Sequence, residues 1–507
     1  MHNKLFQKIL SAALAASLLL ALASCAQEEA AEQTSAADQT AGVVADDIEI
    51  SSEITSSNDS EHAIEVSGET AEYSNIKVTK TGDSEAGDEA DFYGDNAAIF
   101  ATDGAMLTLT DIVVETDGLH ANAVFSYGEG TTVNISDSVI TTSGNCSGGL
   151  MTTGGGTMNA TNLNIHTTGN SSAAIRSDRG GGTVTVTGGT YTTDGKGSPV
   201  IYSTADITVS DAVLTSTSSQ GVVVEGKNSV TLNNVTLVAD NNSKNSDKSE
   251  WYQAVMIYQS MSGDAAVGAA SFTMNGGSLT NVNGDVFFVN NTVTSITLDN
   301  VSIVNEDDSG VFLRAAAAGW GTEGSNGGKV NLYLNSQTLV GDIVVDEVSA
   351  VNMYLASSSV YKGAVNGADS DGAEIYVEIE SGSKWVLTGD SYISSLTCDT
   401  ECIELNGYKL YVDGELYVEG SVSEGVAVEM VTSSSGSQSS SDGAPGEPPS
   451  GDPPARPDGD NGEPPSGDPP ARPDGDSGSG SDRPARPEGD NGEPPSGDPP
   501  ARPDGNN

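Results

Sequence analysis

The sequence is poor in the residues that usually fill a globular core, and it nearly lacks proline until its end. Only 5% of the 507 residues are aromatic, although 36% are apolar, so a conventional layered domain of this length would be short of bulky core side chains. A fold that buries small side chains in thin layers is not excluded. Of the 19 prolines, Pro199 is the one that precedes residue 445, and this shift in composition marks a boundary between a body and a tail.

Basic residues are also scarce. Lysine and arginine together number 20 against 72 acidic residues, which gives a formal net charge of −52. Because like charges repel, this balance argues against nucleic acid and anionic membrane surfaces as partners. Neutral glycans, cations and basic proteins are compatible with it.

The chain has only four cysteines and four histidines, with no Cys/His cluster at metal-ligand spacing, so the sequence predicts no metal centre. Calcium at scattered Asp and Asn corners is compatible with the sequence but not specified by it. Cys398 and Cys402 would form a disulfide if the segment between them makes a loop. Cys146 is then expected to be a buried thiol in a corner of the fold.

The amino terminus has no apolar run long enough to cross a membrane comfortably. Two lysines precede a short apolar stretch over residues 9–23, which is typical of an export signal. The sequence LASC at residues 22–25 resembles the lipobox of bacterial lipoproteins. The resemblance implies a signal peptide over 1–24, acylation of Cys25, and an exported protein that is lipid-anchored at the bacterial cell surface. An ordinary secretory signal is the alternative.

The body, residues 61–431, repeats one unit. Threonine-valine stretches recur every 23 to 26 residues, with one longer interval of 42, and begin at Leu107, Val133, Met158, Val184, Ile207, Val230, Phe272 and Ile296. Apolar residues hold the first, third and eighth positions, which predicts short strands with one face toward a core. Asp, Asn or Gly holds the fifth position, and because these residues tolerate a left-handed backbone, a bend is predicted there. A third strand is predicted about eight residues upstream in each unit.

This pattern resembles the right-handed parallel β-helix of the pectin-lyase-like superfamily over roughly residues 62–430. The resemblance implies an all-β solenoid of roughly a dozen coils. Each strand would pair with its equivalent one coil on, about 4.8 Å away, so that Val186 should lie beside Val209. A sandwich or propeller is the alternative, but it needs hairpin turns or longer repeats. The longer alternating runs from about 343 to 431 are predicted to be atypical coils that cap the end.

The segments on either side of the body are predicted to be unfolded. Residues 25–60 are rich in Ala, Glu, Ser, Thr and Asp, which is typical of an acidic flexible linker. Residues 432–507 are rich in Ser, Gly and Pro and repeat the sequence GEPPSGDPPARPDG, which is typical of a disordered spacer. A proline-motif ligand for a partner domain is the alternative interpretation of that tail.

The upstream strand carries the clearest functional signal. Its core-facing residues are predicted to be Ile99, Val124, Leu150, Ile175, Ile201, Val223, Ile257 and Leu313. The residues that follow them would face outward, and they are Phe100, Phe125, Met151, Arg176, Tyr202, Val224, Tyr258 and Arg314. This outward column is more aromatic and apolar than a solvated face requires, and would stack on sugar rings or dock a partner. Insertions with Trp251 and Trp320 would form the rims of a cleft on it, or fold down to cover it.

Catalytic motifs are weak. A pectate lyase-like site needs a carboxylate cluster for calcium and a basic residue that takes a proton, and the group Arg176, Asp178 and Arg179 is the candidate for it. A polygalacturonase-like site needs several aspartates on adjacent coils, and Asp307-Asp308 is the one paired carboxylate within the coils. Three isolated histidines are interpreted as turn or surface residues: His62, His120 and His166.

The leading hypothesis is therefore a non-enzymatic, lipid-anchored surface β-helix that binds an extracellular glycan or a host or cell-surface protein, in the manner of an adhesin. A polysaccharide lyase or hydrolase on the same scaffold is one alternative. A structural envelope component without a specific ligand is the other. No cofactor is predicted, and the membrane is contacted only through the lipid.

Overall fold

The structure is a computed structural model that describes residues 42–260, 262–367 and 373–431. The predicted signal peptide, Cys25 and the tail from residue 432 lie outside the described residues. The described chain is almost entirely β-strand, with a short α-helix, α1, at Asp88–Tyr93 and a 3-10 turn at Ala45–Asp47. Across these ranges, no helix is both long and apolar enough to span a membrane.

The strands stack as a parallel β-helix, as the sequence predicts, and they form three faces around one core. Face 1 is an 11-stranded parallel sheet whose strand order follows the chain. Its strands are Ile64–Ser67, Ile99–Thr102, Val124–Tyr127, Leu150–Thr153, Ile175–Ser177, Ile201–Ser203, Val222–Glu225, Gln253–Tyr258, Asp285–Asn290, Val311–Ala315 and Asp342–Val345. This is the predicted upstream strand of each repeat.

Faces 2 and 3 are joined into one 21-stranded sheet, because Gly156–Thr167 and Gly182–Thr193 each run through both faces. The other strands of face 2 are Thr70–Ser74, Met106–Thr110, Thr132–Ser136, Asp206–Ser210, Ser229–Asn233, Ala269–Asn275, Val293–Asp299, Lys329–Asn335, Ala350–Ala356, Glu374–Ile379 and Ser395–Cys398. The other strands of face 3 are Ser52–Ser56, Ile76–Lys80, Val113–Thr116, Val139–Thr142, Val213–Ser216, Thr236–Ala239, Ser278–Asn281 and Ser302–Asn305.

The last coils are less regular. A four-stranded sheet takes the place of face 3 there, with strands Thr338–Val340, Val360–Lys362, Lys384–Val386 and Ile403–Glu404. A three-stranded sheet follows, with strands Ser391–Ile393, Leu410–Val412 and Glu415–Leu416. Its last two strands pair antiparallel, so the parallel stacking ends at this point.

At the other end, the fold begins earlier than the composition suggests. The segment 25–60 has the composition of a flexible linker, but its strand Ser52–Ser56 pairs in parallel with Ile76–Lys80 along five residues. Ile48 is buried and packs with Val113 and Val139 on the outside of the coils. The acidic composition gave no sign of this strand. A strand with one exposed face needs apolar residues only at alternate positions, so a short one can contain very few.

Register between coils follows the predicted repeat. Val186 pairs with Val209, and Tyr191 with Leu214 in the same coils. All eight residues at the fifth position of the repeat have a left-handed backbone, with φ between 49° and 71°: Asp111, Asp137, Asn162, Gly188, Asp211, Asn234, Gly276 and Asn300. The side chains at these bends also bond between coils, since Asn162 Nδ2 donates to Asp137 Oδ1 at 2.7 Å.

A second corner, which follows face 3, is built from glycine and serine. Ser172 Oγ accepts a hydrogen bond from the Ser147 backbone N–H at 2.9 Å and donates to the Gly144 carbonyl at 3.1 Å. Ser198 repeats this arrangement one coil later, with Gly169 as its carbonyl acceptor at 2.8 Å. The glycines lie so close to the preceding coil that a Cβ atom has no room there.

Replacing Gly169 by alanine should therefore destabilise the coils. The new methyl group would overlap the Gly144 carbonyl oxygen and crowd Ser172 Oγ, and overpacking of this kind costs about 1–3 kcal/mol. The change should lower the urea midpoint, followed by circular dichroism. Gly276→Asn is the matched control: Gly276 has φ 63° and open space around it, and asparagine holds the same corner at residues 234 and 300. If both variants lowered the urea midpoint equally, the close packing of the corner glycines on the preceding coil would not be what stabilises the fold.

Candidate functional site

The outward column of face 1 holds the candidate functional residues. Pairing along the sheet aligns Phe100, Phe125, Met151, Arg176, Tyr202, Val223, Met256, Phe288 and Arg314. The predicted column is therefore correct up to Tyr202 and again at Arg314.

Two assignments in the middle of the column need correction. Val223 faces outward, and Val224 lies in the core. The strand carries three consecutive valines, so alternation could not set its register. Tyr258 does face outward, but it pairs with Glu225 and lies two residues further along its strand than Met256. Phe288, in a strand that the sequence analysis did not include, completes the column.

The first half of the column is covered. Phe100, Phe125 and Met151 form an apolar cluster and are at most 8% exposed. Helix α1 lies over them, and its Phe92 carbonyl accepts a hydrogen bond from Thr153 Oγ1 at 2.7 Å. His62 stacks on Phe100 with ring centroids 4.6 Å apart. These rings are thus part of the covered interior rather than an open ladder.

Arg176 follows Met151 in the column, and its guanidinium forms ion pairs with two carboxylates. Its Nη1 is 3.0 Å from Asp91 Oδ2 on helix α1, and its Nη2 is 2.8 Å from Asp178 Oδ2. Asp91 Oδ1 is also 3.1 Å from His120 Nδ1 and accepts a hydrogen bond from Asn122. The guanidinium therefore binds helix α1 to the coils.

Burial and charge act against each other in this group. Burial raises the pKa of Asp178 above its usual value, although Arg176 opposes the shift. Burial also acts to raise the pKa of Asp91, but Arg176 and His120 outweigh it, so that pKa is lowered. The pKa of Arg176 is raised despite its burial, because both carboxylates stabilise the charged form. Arg176 is therefore a permanent cation with both ends of its guanidinium engaged, which makes it a poor base.

Arg179 behaves differently from Arg176. Its side chain is about half exposed, and its Nη2 bonds Asp264 Oδ1 at 2.7 Å. Its guanidinium also lies 3.9 Å from the ring centroid of Phe92 in helix α1. The structure thus separates the predicted group: Arg176 and Asp178 are in contact, whereas Arg179 is directed to another loop.

A buried carboxylate lies beside the middle of the column. Glu225 is 2% exposed, and its Oε2 accepts hydrogen bonds from the hydroxyls of Tyr202 and Tyr258, the latter at 3.0 Å. Burial, reinforced by this carboxylate, raises the pKa of both tyrosines well above the usual range, so both stay protonated donors. Glu225 Oε1 has no hydrogen-bond partner in the part of the chain that the structure describes.

The second half of the column lies under the two tryptophan insertions. Trp251 packs on Phe288 at 5.6 Å between ring centroids, and Trp320 packs edge-on against Tyr258 at 5.1 Å. Arg314 lies 4.5 Å from the centroid of Trp251, while its Nε bonds Asp285 at 2.6 Å. Both insertions therefore cover part of the column, as one of the two interpretations from sequence requires.

The insertions also leave a cleft of about 140 Å³ between them. Its walls combine aromatic rings with side-chain amides: Trp251, Tyr252, Trp320, Gln220, Asn241 and Asn245. Gln253, only 2% exposed, also lines the cleft, and its Oε1 lacks a hydrogen-bond partner among the described residues. The cleft thus brings ring faces and amide groups together in one place.

Cys398 and Cys402 are thiols in the structure, not the disulfide that the sequence allows. Both are buried in the core. Cys398 Sγ contacts the Tyr417 hydroxyl at 3.8 Å, whereas Cys402 Sγ donates to the Ile379 carbonyl at 3.8 Å. Each thiol is therefore directed to its own partner, and burial raises the pKa of Cys398.

The three histidines within the described residues lie in different settings. His62 stacks on Phe100, and His166, which is partly exposed, bonds Asp194 at 2.7 Å. His120 is buried at a corner, where Asp91, His120 and Cys146 bring potential metal-ligand atoms within 4.8 Å of one another. This group was not predicted from the sequence. Its signal was the 26-residue spacing from His120 to Cys146, which is the length of one coil.

Comparisons with known proteins add no candidate. The chain matches no protein-family model, no curated protein and no solved structure. A fold alone does not specify function, so the geometry of the sites described above has to carry the functional assignment.

Replacing Arg176 by methionine should destabilise the fold by about 3–5 kcal/mol, because it leaves Asp91 and Asp178 buried without their counter-charge. The folded-state pKa of both carboxyls should rise above the unfolded value. Such groups add stability at low pH, and this stability is lost as the pH rises through the folded pKa. The variant should therefore lie closest to wild type near pH ~4, and furthest from it near pH ~7.

Urea midpoints of wild type and variant at the two pH values measure this difference. Arg179→Met is the matched control, because an exposed ion pair contributes at most about 1 kcal/mol. A deficit of Arg176→Met that does not depend on pH would show that the two carboxylates are not what the arginine stabilises.

Proposed function

We propose that this protein is a lipid-anchored, cell-surface β-helix that binds an extracellular glycan in the face 1 cleft. The observation that carries the proposal is the composition of that cleft, where Trp251, Tyr252 and Trp320 lie beside the amides of Gln220, Asn241 and Asn245. Sugar rings present apolar C–H faces and polar edges. Aromatic rings satisfy the first and amide groups the second.

Local support makes the cleft suitable for binding. Trp251 and Trp320 each pack on a ring of face 1, Phe288 and Tyr258 respectively. The amide of Asn326 donates to the Trp320 carbonyl at 2.8 Å, and this hydrogen bond helps to fix the insertion that carries Trp320. Walls fixed in this way lose little conformational entropy when a ligand binds.

Charge also favours a glycan ligand. The chain carries a formal net charge of −52, but two lysines lie at the cleft, with Lys244 5.1 Å from the Tyr252 ring and Lys248 5.7 Å from the Trp320 ring. These cations reduce the local negative potential where a ligand enters. A neutral or mildly acidic sugar is compatible with this surface.

The predicted export signal and the β-helix architecture also support the proposal. The lipobox-like sequence at 22–25 supports acylation of Cys25 and display at a bacterial surface. The repeat resembles the pectin-lyase-like superfamily, whose polysaccharide-active members bind substrate on the outside of the coils, and this resemblance supports a carbohydrate ligand. Binding rather than cleavage is favoured, because the carboxylates of Asp91 and Asp178 occupy Arg176.

A glycan panel tests the binding site. Wild-type protein should retain a subset of glycans, and Trp320→Ala should weaken retention by about 10- to 100-fold, as truncation of an aromatic anchor does. Tyr333→Ala is the matched control, because that ring stacks on Tyr354 at 4.9 Å on face 2, away from the cleft.

The other outcomes would contradict the proposal in different ways. Failure of the wild-type protein to retain any glycan would favour a structural envelope component. Cleavage of the polysaccharide, with or without added calcium, would favour a lyase or hydrolase. Equal losses in Trp320→Ala and Tyr333→Ala would place the binding surface elsewhere.

The anchor is tested separately. Bacteria fed an alkyne-tagged fatty acid should label the wild-type chain, whereas Cys25→Ser should remain unlabelled and leave the membrane fraction. Cys146→Ser serves as the control and should label normally. Labelling that survives Cys25→Ser would contradict lipidation at this residue.

A further inference from the structure

A second group of side chains, distinct from the cleft, has the composition of a metal site. His120 and Cys146 occupy the same corner of successive coils, with φ of 57° and 56°. Their backbone N–H groups bond equivalent carbonyls one coil on, those of Asn145 and Asn170. Since coils are about 4.8 Å apart, the imidazole and the thiol project from neighbouring positions on the same edge.

Helix α1 brings a third ligand type to this corner. Asp91 Oδ1 is 3.1 Å from His120 Nδ1, and ligand atoms of Asp91, His120 and Cys146 all lie within 4.8 Å of one another. Asp91 and His120 are buried, while Cys146 is half-buried. The group is therefore largely enclosed, with partial exposure at Cys146.

These separations are close to those of a tetrahedral zinc site. Zn–N and Zn–O bonds of about 2.0–2.1 Å place two such ligand atoms about 3.3 Å apart, which is near the 3.1 Å between His120 and Asp91. The longest separation has to close by little more than 1 Å, about what side-chain rotation on a fixed corner provides. Thiolate, imidazole and carboxylate together favour zinc over calcium or magnesium.

The surroundings also fit a bound dication. Arg176 bonds Asp91 through Oδ2, while Oδ1 faces His120 and accepts a hydrogen bond from Asn122. Hydrogen bonds of this kind orient carboxylate ligands. The charges balance, since Zn²⁺ offsets the Cys146 thiolate and the Asp91 carboxylate, and Arg176 offsets Asp178. A neutral total makes burial of the group less costly.

We propose that Asp91, His120 and Cys146 form a zinc-binding site that pins helix α1 to the coils, with the fourth coordination position open to water or to an external ligand. The site is independent of the glycan cleft.

Titration of the full chain with Co²⁺, followed by Zn²⁺ competition, tests the proposal. One cobalt ion should bind and give a thiolate-to-cobalt charge-transfer band, which zinc then displaces. Both titrations are done in excess Mg²⁺ and Ca²⁺, so that carboxylates on this acidic surface are saturated with hard cations.

The structure supplies conservative variants. Cys146→Ser keeps the fold, because Ser171 holds the same corner one coil on with φ 56°, and His120→Asn keeps a residue that tolerates φ 57°. Each should remove the charge-transfer band or weaken zinc binding by more than about 100-fold, since even outer-shell changes cost 10–100-fold. His166→Asn, at the exposed His166–Asp194 pair, is the matched control and should bind as wild type does.

Zinc should also raise the thermal midpoint of the wild type and leave that of Cys146→Ser unchanged. Binding that survives Cys146→Ser would overturn the proposal, because it would come from another thiol or from surface carboxylates. The absence of a charge-transfer band in the wild type would also overturn it. Neither result would affect glycan retention at the cleft.

Discussion

The hydrogen-bond register between successive coils is the constraint on which the rest of the structure depends. Once Val186 pairs with Val209, every position in a repeat lies beside its equivalent one period away. The bend residues then stack on one another, and the corner glycines touch the preceding coil. Functional side chains that lie close together are therefore either about 25 residues apart in sequence, or belong to segments that leave the repeat and pack back on its surface.

Sequence predicted the parts of the fold that depend on local signals. On face 2 one side is buried and the other is not, so alternation fixed the register, and the left-handed corners fixed the bends. Face 1 is covered on its outer side as well. The strands Val222–Glu225 and Gln253–Tyr258 are buried at every position, so alternation disappears there, and the prediction for Val223 and Val224 was wrong by one residue.

The candidate site was predictable only in part, for a related physical reason. Trp251 and Trp320 could be placed near face 1, because their insertions adjoin its strands. Contacts made by helix α1 had no such signal: Asp91 and Arg176 are 85 residues apart, and nothing in a local pattern relates them. His120 and Cys146 do obey the repeat, so they could have been paired from sequence once coil length was treated as a distance.

Basic residues are scarce in this chain, and two of its arginines are engaged in ion pairs on face 1. Arg176 lies between two buried carboxylates, and Arg314 binds Asp285 while it packs on Trp251. A buried cation is retained only where its charge is fully matched, so these arginines hold the cover on face 1 and are not available to a substrate. By contrast, Lys244 lines the cleft and is half-buried, and Lys248 is exposed next to the Trp320 ring. The ion pairs that hold this cover therefore leave aromatic rings, side-chain amides and two lysines at the cleft.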